Sequence, residues 1–281
     1  MTPASSRVAR RTGWRAFLMT VLGRAYPRLI GQQREPSWIL FETLMPTVAL
    51  CSYVFVYRGL RAPEEFVGFA VLGGAMIAFW VQVMWGMASQ LYWEKETGNL
   101  GLYIMAPCSM MAILLGMALG GLLATSVRAA MVLAVGALCF HVHFAVSSWA
   151  GLAAVFALTM VALYGLGMML ASVFLLLGRE AWHYVHLTME PVYLVSGFYF
   201  PLRSFPSWVG FAASALPLSL GLDAMRQLAF ARSARLGFLG VRVEMAVLAA
   251  LGAVFLVAAA GMLRRLERLA VREGRLTESR A

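Results

Sequence analysis

Six long apolar runs constrain this chain more than any other feature of its sequence. A helix that crosses the hydrocarbon core of a membrane needs roughly 20 apolar residues. Lipid offers no hydrogen-bonding partner to a backbone group, so such runs must satisfy their own backbone, as helices do. The alternating pattern of β-barrel strands is absent. The sequence therefore predicts an all-α integral membrane protein with six transmembrane helices, at residues 38–57, 66–89, 109–140, 148–177, 182–200 and 244–263.

The composition and the charge distribution agree with a chain whose solvent is lipid. Residues of the set AVILMFWYC make up 61% and charged residues 13%, whereas an ordinary globular domain has roughly 45–50% and about 25%. A net charge of +10 would suit nucleic acid, but the arginines gather at the two ends, as in a membrane protein with cytoplasmic termini. An even number of spans also puts both termini on one side. We therefore predict a multi-pass protein of the cell (inner) membrane, in contact with lipid and without a nucleic-acid partner. The flanking arginines are Arg7, Arg10, Arg11, Arg15, Arg24, Arg28 and Arg34, then Arg264, Arg265, Arg268, Arg272, Arg275 and Arg280.

The segments outside the six runs complete a single transmembrane domain, residues 1–281. Within residues 14–30 apolar side chains recur at three- and four-residue steps, which favours a helix lying in the cytoplasmic interface over a simple basic tail. Residues 201–240 contain two apolar pieces of about ten residues, divided by Pro217. These pieces are too short to span, so they predict a re-entrant helical pair on the outer side. The predicted parts are thus an interfacial segment at 1–35, a six-span bundle at 38–263 and a basic cytoplasmic tail at 264–281.

Several kinds of chemistry are absent from the sequence. Lys95 is the only lysine and lies between Glu94 and Glu96, so the Gly-Lys-Ser/Thr of a phosphate-binding loop does not occur. Neither H-E-x-x-H nor G-x-S-x-G occurs. We predict no catalytic residue and no metal site on this chain. The cysteines, which show no pairing or metal-binding spacing, are Cys51, Cys108 and Cys139.

The cytoplasmic link between the second and third runs, residues 90–107, carries the first informative motif. Its acidic residues oppose the positive-inside trend, which points to a protein partner. The motif resembles the E-x-E-x-G-T-L-E … P signature of ABC transporter permeases of the type-2 exporter class, and it is formed by Glu94, Glu96, Gly98, Leu100 and Pro107. Gly101 departs from the signature, because the family usually has a glutamate there.

A second motif follows the fifth run and is similar to the same family's SG-x-x-F-P … P-x-W … L-P-L … A-x-R pattern. It consists of Ser196-Gly197-Phe198-Tyr199-Phe200-Pro201, Pro206, Trp208, Leu216-Pro217-Leu218 and Asp223-Ala224-x-Arg226. Together with the number of spans, the N-terminal helix and the re-entrant pair, the two motifs extend the resemblance over the whole chain.

The resemblance implies a homodimeric permease in which each half docks a separate ATPase, so that two ATPase copies carry ATP and Mg. A coupling helix in the link would contact the ATPase through Glu94, Glu96, Thr97, Gly98 and Leu100. The re-entrant pair would close the outer end of the pathway. The expected substrate is amphipathic, drug-like, lipid or lipid-linked glycan, and leaves the cytoplasm or the inner leaflet. The predicted outer gate consists of Phe198, Tyr199, Phe200, Pro201, Trp208 and Pro217.

Charged residues inside apolar runs are the remaining candidates. Glu42, Arg128 and Glu190 are costly in lipid and should face the protein interior or a wet cavity. Two interpretations stay open for them, a salt bridge between Arg128 and one of the glutamates, or contact with the substrate.

Two other functions are compatible with the sequence. The first is a haem- or quinone-binding membrane redox subunit, which would use the histidine pairs His141/His143 and His183/His186. The second is a membrane scaffold that transports nothing.

Overall fold

The computed structural model describes residues 13–34, 36–106, 108–230 and 237–273, and the regular elements in these ranges are all helical. A six-residue π-helix, Gln82–Met87, joins the third helix to the fourth. The α-helices are α1 (Trp14–Gln33), α2 (Pro36–Gly59), α3 (Glu64–Val81), α4 (Gln90–Glu96), α5 (Asn99–Met105), α6 (Met110–Phe140), α7 (Trp149–Leu177), α8 (Ala181–Val195), α9 (Ser207–Ala213), α10 (Pro217–Ala229) and α11 (Val241–Glu273).

Four helical stretches in the described ranges are long and apolar enough to cross a membrane. They are Glu64–Glu96, Met110–Phe140, Trp149–Leu177 and Val241–Leu269, and the number rises to five if α9 and α10 are counted as one broken span. The predicted all-helical membrane architecture is therefore confirmed. The count of six and the interfacial position of α1 remain predictions.

Helix boundaries follow from local sequence signals. The hydroxyls of Ser109 and Ser148 accept hydrogen bonds from Ala112 N and Gly151 N, at 3.2 and 3.1 Å, which caps α6 and α7. Pro217 occupies the first turn of α10, where its missing N–H costs nothing. The predicted helical pair between the fifth and sixth runs is present, because α9 and α10 meet at a bend of 108°.

The fifth predicted span differs from the structure. Helix α8 has 15 residues and ends at Val195, so it is about 22 Å long, shorter than a hydrocarbon core of about 30 Å. It cannot continue, because Gly197 adopts φ 73°, a left-handed conformation that an α-helix excludes. Helix α11 continues into the segment predicted as a basic tail, through residue 273.

Helices α1 and α6 pack closely through two glycines. A Cβ atom on Gly116 would lie 2.5 Å from the carbonyl oxygen of Val21, and one on Gly120 would lie 2.7 Å from that of Ala25. The two glycines, four residues apart on α6, therefore form a groove that receives the backbone of α1.

Helix α3 and the π-helix form the buried centre of the fold. Helix α3 packs on α6 and α2, the π-helix packs on α7, and α10 lies against α7, α3 and α11. Most of the α3 span is buried, whereas less than a quarter of the α11 span is buried. The exposed apolar side chains on the outer helices form the surface expected to contact lipid.

Candidate functional site

A cavity of about 640 Å³ lies among α2, α3, the π-helix, α6 and α8. Its polar lining comes from Gln82, Arg128 and Glu190. The fold thus brings two of the three charges that the sequence singled out into one cavity. Glu42 belongs to α2, and its side chain lies outside the described residues.

Arg128 is held in the α6 wall of this cavity. Its side chain is buried, and Nη2 donates to the Thr125 hydroxyl at 3.0 Å and to Gln82 Oε1 at 3.4 Å. Glu190, by contrast, is exposed on α8, directly before Pro191. A molecule in the cavity could therefore reach the Glu190 carboxylate more easily than the Arg128 guanidinium, which is buried and bonded to the cavity wall.

Aromatic side chains form much of the remaining lining. The rings of Tyr53 and Tyr199 are stacked, with 3.5 Å between their centroids. The indole of Trp85 stacks on that of Trp182, which does not line the cavity, with 5.1 Å between the ring centroids. This contact orients the Trp85 side chain. The aromatic residues that line the cavity are Phe41, Tyr53, Trp85, Tyr193 and Tyr199.

The π-helix sets the positions of Gln82 and Trp85. Such turns insert an extra residue and re-aim the side chains that follow. Space for the Gln82 amide is left by two glycines, since a Cβ on Gly86 or Gly121 would lie 2.4 or 2.8 Å from its Nε2. The carbonyl of Gly86 accepts a hydrogen bond from Arg28 Nη2 at 3.2 Å, so α1 reaches the wall of the cavity.

Arg226 of α10 holds the segment that follows α8. Its guanidinium donates to the carbonyls of Phe69 at 2.9 Å and Phe198 at 2.6 Å, and also to that of Gly197. The Tyr57 hydroxyl donates to the carbonyl of Tyr199 at 2.6 Å. An irregular segment with few backbone partners of its own is thereby fixed beside the cavity.

The predicted gate residues occupy different environments. Phe198, Pro201 and Pro217 are buried, and Tyr199 lines the cavity. Phe200 and Trp208 are 40% and 73% exposed, which suits contact with lipid or with the membrane surface.

Glu94 points into the protein from the link formed by α4 and α5. Its Oε1 accepts hydrogen bonds from Arg24 Nη2 and Gln90 Nε2, both at 2.9 Å, and its Oε2 accepts one from the Tyr103 hydroxyl at 2.8 Å. Arg24 also contacts the Tyr103 hydroxyl directly. Burial, followed by the hydrogen bond to Glu94, raises the pKa of Tyr103, so the phenol stays protonated and donates. This network ties α4 and α5 to α1.

The tip of the link is exposed. Gly98 adopts φ 78° and its N–H donates to the carbonyl of Lys95 at 3.0 Å, so glycine ends α4 in a tight turn. Glu96, Thr97 and Gly98 are exposed, whereas Leu100 is buried. Of the five predicted coupling residues, three are therefore accessible and two anchor the tip from inside.

Sequence reasoning missed four residues that organise the site: Gln82, Trp85, Tyr57 and Arg226. Arg226 was read only as part of a motif. A glutamine in an otherwise apolar run and an arginine in a short apolar helix were the available signals, since polar groups in lipid need partners.

The comparisons with known proteins bear on this arrangement. The sequence model of the family described as ABC-2 type transporter matches residues 28–230. The chain belongs to the ABC-2 type transporter family. It is also 30% identical over 120 residues to the "Probable multidrug ABC transporter permease YbhR" of Escherichia coli strain K12, and equally to the protein of that name from strain O157:H7. The matched part covers 41% of this chain and 31% of each relative.

Membership in the ABC-2 family agrees with the fold. The chain is a multi-pass membrane protein of a transporter family, as its long apolar helices indicate. Of the histidines that a redox subunit would use, His141 ends α6 and His186 packs on Trp85.

Proposed function

We propose that this chain is the membrane-spanning permease of an ATP-driven exporter that moves an amphipathic substrate, drug-like, lipid or lipid-linked glycan, out of the cytoplasm or the inner leaflet. The observation that carries the proposal is the cavity within the helices of an ABC-2 family chain, lined by aromatic rings and by Arg128 and Glu190. Apolar walls with a few polar groups suit a ligand that is mostly apolar. The multidrug name of the relatives is consistent with this substrate class.

Coupling to ATP is proposed to run through the link between α3 and α6. Glu96, Thr97 and Gly98 would contact the ATPase, while Glu94 and Leu100 position the tip. The bonds from Glu94 to Arg24 and Tyr103 support this division of roles. Movement of the tip would reach α1, and through Arg28 the wall of the cavity.

The proposed assembly is a homodimer with two ATPase copies, which carry ATP and Mg. Each permease would span the inner membrane six times, with both termini in the cytoplasm, and the segment at 201–229 would close the outer end of the pathway. The terminal arginines support this orientation.

The first test is affinity purification of the chain from its native membrane in a mild detergent, with mass identification of what accompanies it. A co-purifying ATPase is expected. Its repeated absence, from a permease that is intact and monodisperse, would contradict the exporter proposal.

A second test asks whether the exposed tip of the link contacts the ATPase directly. Glu96→Lys should weaken ATPase binding about tenfold or more and abolish substrate-stimulated ATP hydrolysis, since an exposed charge at an interface is reversed. The permease itself should melt as the wild type does. Glu64→Lys, an exposed glutamate at the start of α3, is the matched control. Normal coupling in Glu96→Lys would show that the tip is not the docking site.

A further inference from the structure

Glu190 supplies an accessible negative charge to the cavity. It lines the cavity, is exposed, and has no ion-pair partner among the described residues. A carboxylate in an apolar setting is costly unless a counter-charge or water meets it. The carboxylate is therefore poised for a positive group that enters the cavity.

The positive charge of Arg128 does not fulfil the same role for ligands. Its Nη2 is directed to Thr125 and Gln82 in the wall, and only 8% of the residue is exposed. A ligand in the cavity thus meets an open carboxylate and a guanidinium that is bonded into the wall.

The aromatic lining adds a second attraction for a cation. The faces of Trp and Tyr rings carry partial negative charge and attract organic cations, most strongly where water is excluded. Trp85, Tyr53, Tyr193 and Tyr199 share the lining with Glu190. Bulky apolar substituents would pack against Met45, Ile77 and Val81, which also line the cavity.

We propose that this cavity binds lipophilic organic cations, with the Glu190 carboxylate as counter-ion and the aromatic rings as walls. The proposal rests on the proposed function and names the substrate class of that transporter. Among the three classes left open above, it selects drug-like cations over lipids and lipid-linked glycans.

The probes that test it are tetraphenylphosphonium and tetraphenylborate, which have nearly the same size and shape but opposite charge. Saturable binding to the purified permease is measured by equilibrium dialysis, with empty detergent micelles subtracted and no ATP or ATPase present. The wild-type protein should bind tetraphenylphosphonium at least about tenfold more tightly than tetraphenylborate. Equal binding, or tighter binding of the borate, would overturn the proposal without requiring any variant.

The variant test uses Glu190→Gln, which keeps the size of the side chain and removes its charge. It should weaken tetraphenylphosphonium binding about tenfold and leave the borate no weaker, while Glu190→Asp retains most of the affinity for the cation. Glu180→Gln, an exposed glutamate just before α8 and outside the cavity lining, should bind as the wild type does. Unchanged cation binding in Glu190→Gln would reject Glu190 as the counter-ion.

The dialysis result is independent of the exporter proposal. If the permease co-purifies with an ATPase but does not bind the cation, only the proposed substrate class, lipophilic organic cations, is rejected. If the permease binds the cation selectively but never co-purifies with an ATPase, the cation-site proposal stands and the exporter proposal is rejected.

Discussion

At the scale of single residues, two arginines bond to backbone or carboxylate groups of distant segments. Arg226 donates to four carbonyl groups from two separate segments, and Arg24 pairs with Glu94 across 70 positions of sequence. The planar guanidinium offers several donors in a fixed geometry, which a lysine ammonium cannot reproduce. These contacts fix the segment after α8 and the cytoplasmic link.

Replacing Arg226 tests the first of these roles. Arg226→Lys should lower the free energy of unfolding by about 2 kcal/mol or more, because at least one buried carbonyl loses its charged donor. Thermal unfolding in detergent measures the effect. Arg242→Lys, an exposed arginine on α11, should leave the midpoint unchanged. A similar shift in both variants would argue against the carbonyl contacts as the cause.

At the scale of elements, the contact between α1 and α6 decides how the N-terminal helix is held. Gly116 and Gly120 lie under the carbonyls of Val21 and Ala25, so the two backbones approach more closely than any side chain would permit. The approach brings Arg24 to Glu94 and Arg28 to Gly86, and α1 therefore links α4 with the π-helix that contributes Gln82 and Trp85 to the cavity.

Adding one methyl group tests this packing. Gly120→Ala should lower the free energy of unfolding by about 1–3 kcal/mol, because the new Cβ would lie 2.7 Å from a backbone oxygen. Gly261→Ala is the matched control, since a Cβ there meets nothing within 4 Å. The control should be neutral or stabilising by up to about 1 kcal/mol, as expected for alanine in a helix. If Gly120→Ala also proved stabilising, the close approach of α1 would be wrong.

At the scale of the whole molecule, the number of spans decides on which side of the membrane the ends lie. Six spans put α1 and the end of α11 on the same side, whereas five spans put them on opposite sides. The distinction depends on α2, α8 and the bent pair of α9 and α10.

Labelling of single cysteines resolves the topology. Met19→Cys on α1 and Leu269→Cys on α11 place a thiol at exposed positions. The background lacks Cys51, Cys108 and Cys139. Both thiols should react with a membrane-impermeant maleimide in inverted vesicles and not in intact cells, because the terminal arginines favour the cytoplasm. Labelling on opposite sides would contradict the six-span topology.

Much of the architecture could be predicted from the sequence. The runs at 109–140 and 148–177 became α6 (Met110–Phe140) and α7 (Trp149–Leu177) within one residue, and the bend before Pro217 was also predicted. The membership in a permease family followed from two motifs. These properties are encoded locally, because hydropathy, serine caps, prolines and glycines act over a few neighbouring residues.

The tertiary structure decided which way the polar side chains of the site face. The motif that contains Glu94 and Leu100 predicts contact with a partner, and the fold adds that Glu94 bonds to Arg24 and Tyr103 and that Leu100 is buried. Arg128 and Glu190, which lie 62 positions apart, line one cavity with Gln82 of the π-helix. Long-range packing sets the burial and the partners of each charge, so these assignments required the fold, whereas the sequence alone determined the helices that carry them.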